Sequence, residues 1–459
     1  MKLKRFIATN AHGYLNFDID FFEETTFLIG INGSGKTSAL KLILGLISPS
    51  WINLNQIYFE TAILVCETSS GEEITIQAVN LDQNSIEISI SPFDIKPHKF
   101  SRMDISKVDF TASRLENRSI LSYILRQEQR FHQNAVVKKI EEFTTPIFLG
   151  LDRRIYEGRE IDLLNLDNLT RQKQPTEPLK GNLFESLKDI EKLVFDNYFL
   201  YTQEQSAINE TLKNQIIQSS FEVLNENQLE IKIDTNPDGW KERRYQVLKA
   251  AKKINVPGII EQLNEFFSTL EGLQAILERK NKSNKKSHSF DRQEVSAFQK
   301  WYINMPQLQR IDKIISLYDE SEEKIQTEFT PFKNFENLTN TFLKESNKRL
   351  QIGNNGELII HLPQNPEPTN IFKLSSGEQQ ILVMLAQLIF SENKKTEGSI
   401  FIIDEPELSL HLEWQEIFVK SIKEASPNTQ FILATHSPTI IGALENQDFC
   451  QDLSQFNIF

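Results

Sequence analysis

Hydrophobic and polar positions along this 459-residue chain fall into three patterns. Continuous apolar runs at Thr26–Ile29, Ser399–Ile403 and Gln430–Ala434 predict strands buried on both faces, because a strand packed between two layers has no polar side. Alternating stretches at Ala62–Glu67, Glu73–Val79 and Ser85–Ile90, preceded by strand-like segments at Lys4–Thr9 and Leu15–Phe21, predict an antiparallel sheet with one face on the core. Helical spacing dominates Leu183–Leu200, Glu204–Asn225, Lys241–Ile254, Pro257–Lys282 and Arg292–Phe329. The expectation is an α/β head interrupted by a mostly helical insertion: residues 1–155 as its N-terminal lobe, 156–331 as the insertion and 332–459 as its C-terminal lobe. Glu357–Leu362 adds a strand before a helix that carries Ile381, Leu382, Leu385, Leu388 and Ile389 on its apolar positions.

Candidate chemistry sits where those runs end. Gly30–Thr37 reads GINGSGKT and fits G-x-x-x-x-G-K-[ST], with a strand before it and a helix, Ser38–Leu44, after it. Glycines let the backbone curl so that several N–H groups converge on phosphate, and the following helix adds its positive end. The expected nucleotide contacts are Asn32, Gly33, Ser34, Gly35, Lys36, Thr37 and Ser38. Lys36 neutralises phosphate charge and the Thr37 hydroxyl is a Mg²⁺ ligand. Ser399–Ile403 delivers Asp404 and Glu405 to a strand's carboxyl end, where ligands bind in open α/β sheets. Asp404 is placed for Mg²⁺ and Glu405 for general-base work on the attacking water; by itself the pair also suits the N-cap of the next helix. Gln430–Ala434 brings His436 to an equivalent position, as a sensor of the γ-phosphate. Gln56, about 20 residues past Lys36, is a candidate third contributor to the Mg²⁺ shell, and equally reads as a solvent-facing polar residue. Tyr14 is the available aromatic for stacking on a base.

A fourth segment, Leu374–Gln380 (LSSGEQQ), opens a helix with Ser375, Ser376, Gly377 and Glu378. It serves equally as a capped helix start or as a second anion-binding surface. Together the four motifs resemble the ABC-type ATPases, in their SMC-like branch related to RecF and the OLD proteins. In that family the signature segment faces the ATP of a second head. The resemblance therefore implies ATP and Mg²⁺ as cofactors, ATP hydrolysis as the activity, and a head-to-tail dimer or higher oligomer of this chain. Leu408–His411 occupies the place of the family's D-loop but departs from its common SALD form. The layout, with Phe148–Arg154, is most similar to ATPase subunits of bacterial anti-phage systems such as Septu, with PARIS and retron-linked ATPases close in style. That implies a sensor or scaffold for a separate effector, a nuclease. OLD nucleases carry a Toprim domain after the last motif, and about 20 residues follow Pro438, so the expectation is that cutting belongs to another protein. A RecF- or SMC-like repair ATPase acting directly on DNA is the alternative; a transporter subunit is disfavoured by the large helical insert.

Composition narrows the rest. Lys and Arg total 50 against 63 Asp and Glu, a net charge of −13, so a surface uniformly coated for nucleic acid is not expected. Glu278–His288 packs five basic residues into a polar stretch, read as a solvated loop tip or as a phosphate contact. Arg153 and Arg154 follow an apolar strand, where they serve surface ion pairs or reach a nucleotide or partner. No run of 18 or more apolar residues suggests a membrane span. Two cysteines provide neither a disulfide framework nor a zinc site, and a cytoplasmic location is expected.

Overall fold

The computed structural model describes residues 1–82, 84–103, 114–143, 146–149, 155–157, 182–221, 237–254, 257–282, 292–363, 365–391, 399–442 and 449–454. Two compact units emerge, one from Met1–Tyr198 with Pro331–Phe459 and one from Phe199–Thr330. The first holds two six-stranded sheets. In the antiparallel sheet the order is β2 (Leu15–Asp20), β1 (Lys2–Ala11), β4 (Thr61–Glu67), β5 (Glu73–Asp82), β6 (Ser85–Ser91) and β7 (His98–Ser101). The second sheet runs β15 (Cys450–Asp452), β3 (Thr25–Ile29), β14 (Gln430–Ala434), β13 (Ile400–Asp404), β8 (Ile147–Leu149) and β9 (Ile155–Glu157), parallel except for β9. Its central strands β13 and β14 are buried at every residue, as two-sided apolar runs require.

Helix α1 (Lys36–Ile47) lies in the core that joins the sheets. Leu40 and Ile43 share a cluster with Phe6, Leu64 and Ile76 on one side and Ile402 and Ile432 on the other. Full burial of each such side chain contributes roughly 1.5–3 kcal/mol relative to exposure. Polar stitching adds precision. The buried amide of Gln430 accepts from Leu3 N at 2.7 Å and donates to Leu3 O at 2.9 Å and Phe22 O at 2.8 Å, tying β14 to the chain's first strand. A short helix α2 (Trp51–Gln56), capped by Ser50, follows α1; Glu128 from α3 (Arg114–His132) accepts from Trp51 N and Ile52 N at its start. Next comes α4 (Ala135–Glu141).

Helical pattern breaks in the sequence do not all become breaks in the structure. Leu183–Leu200 and Glu204–Asn225 merge into one helix, α5 (Asn182–Ser220). The residues between hold no Gly or Pro, and Thr202 Oγ1 bonds back to the Phe199 carbonyl at 2.7 Å while the helix continues. The N-terminal segment of the first unit runs to Tyr198, and the first half of α5 buries Leu187, Ile190 and Val194. The second unit contains α6 (Pro237–Ile254), α7 (Ile259–Lys282) and the larger part of α8 (Arg292–Leu343) around Val247, Phe267, Leu270, Trp301 and Leu308. Strands β10 (Arg349–Ile352), β11 (Leu358–Leu362) and β12 (Asn365–Thr369) then form a small antiparallel sheet before α9 (Ser376–Phe390), and α10 (Leu412–Ala425) and α11 (Pro438–Gly442) flank β14 in sequence. Among the described residues no helix is long and apolar enough to cross a membrane. Arg153, Arg154 and residues 283–288 of the basic stretch lie outside the described residues.

Candidate functional site

Three parallel strands end level with one another. Asp404 on β13 pairs with Ala434 on β14, and Ala434 pairs with Leu28 on β3, so Gly30, Asp404 and His436 leave the sheet at the same edge. Gly35 adopts φ +92° and stands at the N-cap of α1 without a side chain to offer its first turn. A Cβ there would come within 2.8 Å of the Phe17 ring and 2.9 Å of Leu15, so only glycine fits both the backbone and the space. The uncapped helix start and the loop before it leave N–H groups for an anion.

A cavity of about 440 Å³ opens over this edge. Asn32, Gly33, Gly35, Lys36, Thr37 and Ser38 line it together with Glu405 and His436. Ser34 is not among the lining residues; its hydroxyl is buried without a hydrogen-bond partner. His12 and Tyr14, from the turn between β1 and β2, complete the wall, and His12 Nε2 lies 2.9 Å from Ser38 Oγ. Tyr14, the sequence candidate for base stacking, is thus at the cavity, while His12 gave no sequence signal beyond an isolated histidine.

Inside, the polar groups interlock. Lys36, only 5% exposed, donates to Gly30 O at 3.1 Å and to His436 Nε2 at 2.5 Å. Burial lowers its pKa, opposed by the charges of Glu405 and Asp404. Thr37 Oγ1 donates to Asp404 Oδ2 at 2.9 Å, and Asp404 Oδ1 is buried without a partner. A hydroxyl and a carboxylate with a spare buried oxygen form a hard donor set suited to Mg²⁺. Burial raises Asp404 despite the Thr37 hydrogen bond. Glu405 sits in the left-handed region at φ 50°, a strained conformation for this residue type, held by its N–H to Ala434 O at 2.8 Å. Its carboxylate is 3.2 Å from His436 Nε2. Burial, then a hydrogen bond with Glu407 and that neighbour's charge, push Glu405 up to about 8.

Glu407 is a residue the sequence reading passed over. Its two oxygens accept from His436 N at 2.6 Å and from Thr435 Oγ1 at 2.8 Å, so it clamps the segment that carries His436. The signal available was a third acidic residue two positions beyond Glu405, in a turn that leaves a strand end.

The remaining candidates lie elsewhere. Gln56 is the last residue of α2 and does not line the cavity. Ser375 caps α9 and forms a capping box with Glu378: Ser375 N donates to Glu378 Oε2 at 2.6 Å and Glu378 N to Ser375 Oγ at 3.4 Å. Glu378 is 3% exposed and also accepts from Lys348 Nζ at 2.7 Å and Ser346 Oγ at 2.8 Å. Burial pushes its pKa up, but Lys348 and the Ser375 amide outweigh it and hold the carboxyl low. Ser375 and Ser376 face solvent, Gly377 is half-buried, and none of the three lines this chain's own cavity.

A family model described as an AAA ATPase domain matches residues 1–441. Among curated proteins, the chain is 29% identical over 115 residues to the retron Vc95 probable ATPase of Vibrio cholerae serotype O1 biovar El Tor, covering 23% of this chain and 22% of that one. It is 30% identical over 111 residues to the retron Ec83 probable ATPase of Escherichia coli, covering 22% and 20%. A third relative is endonuclease GajA of Bacillus cereus (strain HuB5-5), at 27% identity over 140 residues, 27% of this chain and 18% of that one. The matching segments therefore span about a fifth of the relatives' length. Solved structures similar to it include a Pyrococcus furiosus Smc head domain with an extended coiled coil bound to the C-terminal domain of ScpA (15% identity, 96% of this chain and 91% of that one, TM-score 0.36). Another is an SmcHead bound to the C-winged helix domain of ScpA (11% identity, 98% and 97%, TM-score 0.40).

Proposed function

The chain belongs to the AAA ATPase domain family, and from that premise we propose that this ATP hydrolase is the sensor and scaffold of a bacterial anti-phage system, gating a separate nuclease effector from the cytoplasm. The observation that carries the reading is the convergence of Lys36, Thr37, Asp404, Glu405 and His436 on one cavity edge. The names of the relatives, two retron ATPases and an endonuclease, supply the biological direction.

In this reading the exposed amides of the loop and of the α1 start grip the phosphates of ATP, and Lys36 swings from His436 and Gly30 to the γ-phosphate. Thr37 and Asp404 would hold Mg²⁺, which supplies charge neutralisation at phosphate oxygens. Glu405, once deprotonated, orients and deprotonates the attacking water. His436, fixed by Glu407, reads the γ-phosphate. A second copy of the chain would present Ser375, Ser376 and Gly377 to that phosphate. Leu408, in the D-loop position, and Leu412, just after it, are exposed and support an interface between copies there.

Native mass spectrometry of the chain co-expressed with the products of neighbouring genes, with and without ATP, tests the proposal. A stable complex containing a nuclease-like partner is expected. Head dimers that hold no partner would overturn the effector reading in favour of a RecF- or SMC-like ATPase acting on DNA.

A further inference from the structure

Helix α6 is a basic element in an acidic protein. Its 18 residues carry six cationic side chains and two acidic ones, whereas the whole chain has an excess of acid. The cations divide by face. Arg243 pairs with Asp312 and Arg244 with Glu271 at 3.1 Å, so the two arginines are spent within the bundle. Lys241, Tyr245, Lys249 and Lys252 follow one another at helical spacing and are all exposed. Lys249 and Lys252 have no ion-pair partner among the described residues. Tyr245 stands between the lysines with 62% of its surface open to solvent. Glu242, at the margin, is turned to Gln246, whose Nε2 donates to it at 3.2 Å.

A row of ammonium groups on a helix face, about 16 Å long from the 1.5 Å rise per residue, with an open aromatic ring inside it, matches a flexible polyanion that carries planar rings. Ammonium groups neutralise phosphates and release counterions, and an exposed ring stacks on an unpaired base. A duplex has its bases stacked inside and leaves the tyrosine unused. We propose that this outward face of α6 is a binding surface for single-stranded nucleic acid, with phosphates on Lys249 and Lys252 and a base on Tyr245. It lies wholly within the second compact unit, and binding there does not depend on an effector being held.

The test uses the full chain and a fluorescent oligothymidine of about 16 nucleotides, with anisotropy followed from about 50 to 200 mM salt. The wild type is expected to bind, with affinity falling as salt rises. Lys249→Glu with Lys252→Glu should weaken binding at least about tenfold and flatten the slope of log K against log salt by about 1.4, from about 0.7 per phosphate contact on single strands. Tyr245→Ala should weaken it about tenfold with the slope unchanged, and Tyr245→Phe should restore it, because stacking needs the ring and not the hydroxyl. Lys300→Glu with Lys313→Glu, the same charge change at two exposed positions of α8, should leave binding intact. The proposal fails if the wild type does not bind, if the α8 pair weakens binding as much as the α6 pair, if Tyr245→Ala changes nothing, or if a duplex of equal length binds more tightly.

Discussion

Glu407→Ala separates the group that performs catalysis from the one that holds it in place. Glu407 does not line the cavity; besides its hydrogen bond with Glu405 it accepts from His436 N at 2.6 Å and from the Thr435 hydroxyl at 2.8 Å. Hydrogen bonds to a charged acceptor contribute about 1.5–3 kcal/mol each. Water can reach the His436 amide and replace one of them, whereas Thr435 is fully buried. The expected net loss is therefore that of one contact, about 1.5–3 kcal/mol, felt where His436 must meet the γ-phosphate. This corresponds to a kcat lower by about 10- to 150-fold. ATP affinity should change by less than about threefold, since Lys36 and the loop amides are untouched and uniform binding is preserved. Steady-state ATPase kinetics and equilibrium binding of a fluorescent ATP analogue separate the two quantities.

The pH profile supplies a second readout. Burial first, then the hydrogen bond and charge of Glu407, hold Glu405 up at about 8. A general base must be deprotonated, so turnover should rise with pH through that region, and Glu407→Ala should move the rise to lower pH. Glu407→Gln keeps an oxygen for the His436 amide and should lose no more than a few-fold. If Glu407→Ala turns over at the wild-type rate, the clamp is not needed. If Glu407→Gln is as slow as Glu407→Ala, Glu407 acts through its charge rather than by positioning.

Lys36→Ala is expected to abolish nucleotide binding in the same assay, and retained tight binding would remove Lys36 from the phosphate site. Glu405→Gln should bind ATP but hydrolyse it roughly 100-fold more slowly, on the scale of a lost general base; near-normal turnover would point to another base. In the nucleotide-free protein, Glu405 is raised from about 4.5 to about 8, so its contribution to stability is present below 4.5 and lost as pH rises through 8. Thermal melts of Glu405→Gln should therefore gain on wild type as pH rises across that window, and parallel curves would refute the raised pKa. Lys348→Met leaves the 3%-exposed Glu378 without its cation and should cost about 3–5 kcal/mol in urea unfolding; a cost under about 1 kcal/mol would mean that the cap does not depend on the pair.

The parallel core was legible because each of its signals is local. Thr26–Ile29, Ser399–Ile403 and Gln430–Ala434 are short two-sided apolar runs, and Lys36, Asp404, Glu405 and His436 follow shortly after their ends in the sequence. Elements fixed by distant partners were not legible. Helix α2 forms where Ser50 caps it and where Glu128, more than 70 residues away, accepts from its first amides. Strand β15 is the tripeptide Cys-Gln-Asp, with no apolar alternation at all. It is a strand because β3 has an edge to offer, and once paired it places Ser454 Oγ within 3.4 Å of Ile31 N in the phosphate-binding loop.

Ser375–Glu378 shows why a motif can be found without its roles being divided. As a string, Ser-x-x-Glu before an apolar helix is both a capping box and an anion site. The structure draws Glu378 inward, to Lys348, Ser346 and the Ser375 amide, and that use is incompatible with facing a nucleotide. Ser375 Oγ takes the Glu378 amide at 3.4 Å, a long contact that a stronger acceptor could displace. The N–H groups of Ser376 and Gly377 head the helix, while the capping side chain of Ser375 goes to the Glu378 amide. Of the four residues, Glu378 therefore holds the helix end, and Ser375, Ser376 and Gly377 are the ones that the proposed pairing would set against a second copy's phosphate. The signature lies outside this chain's own cavity, where Lys36, Glu405 and His436 stand together, so under the proposed head-to-tail pairing hydrolysis would depend on assembly.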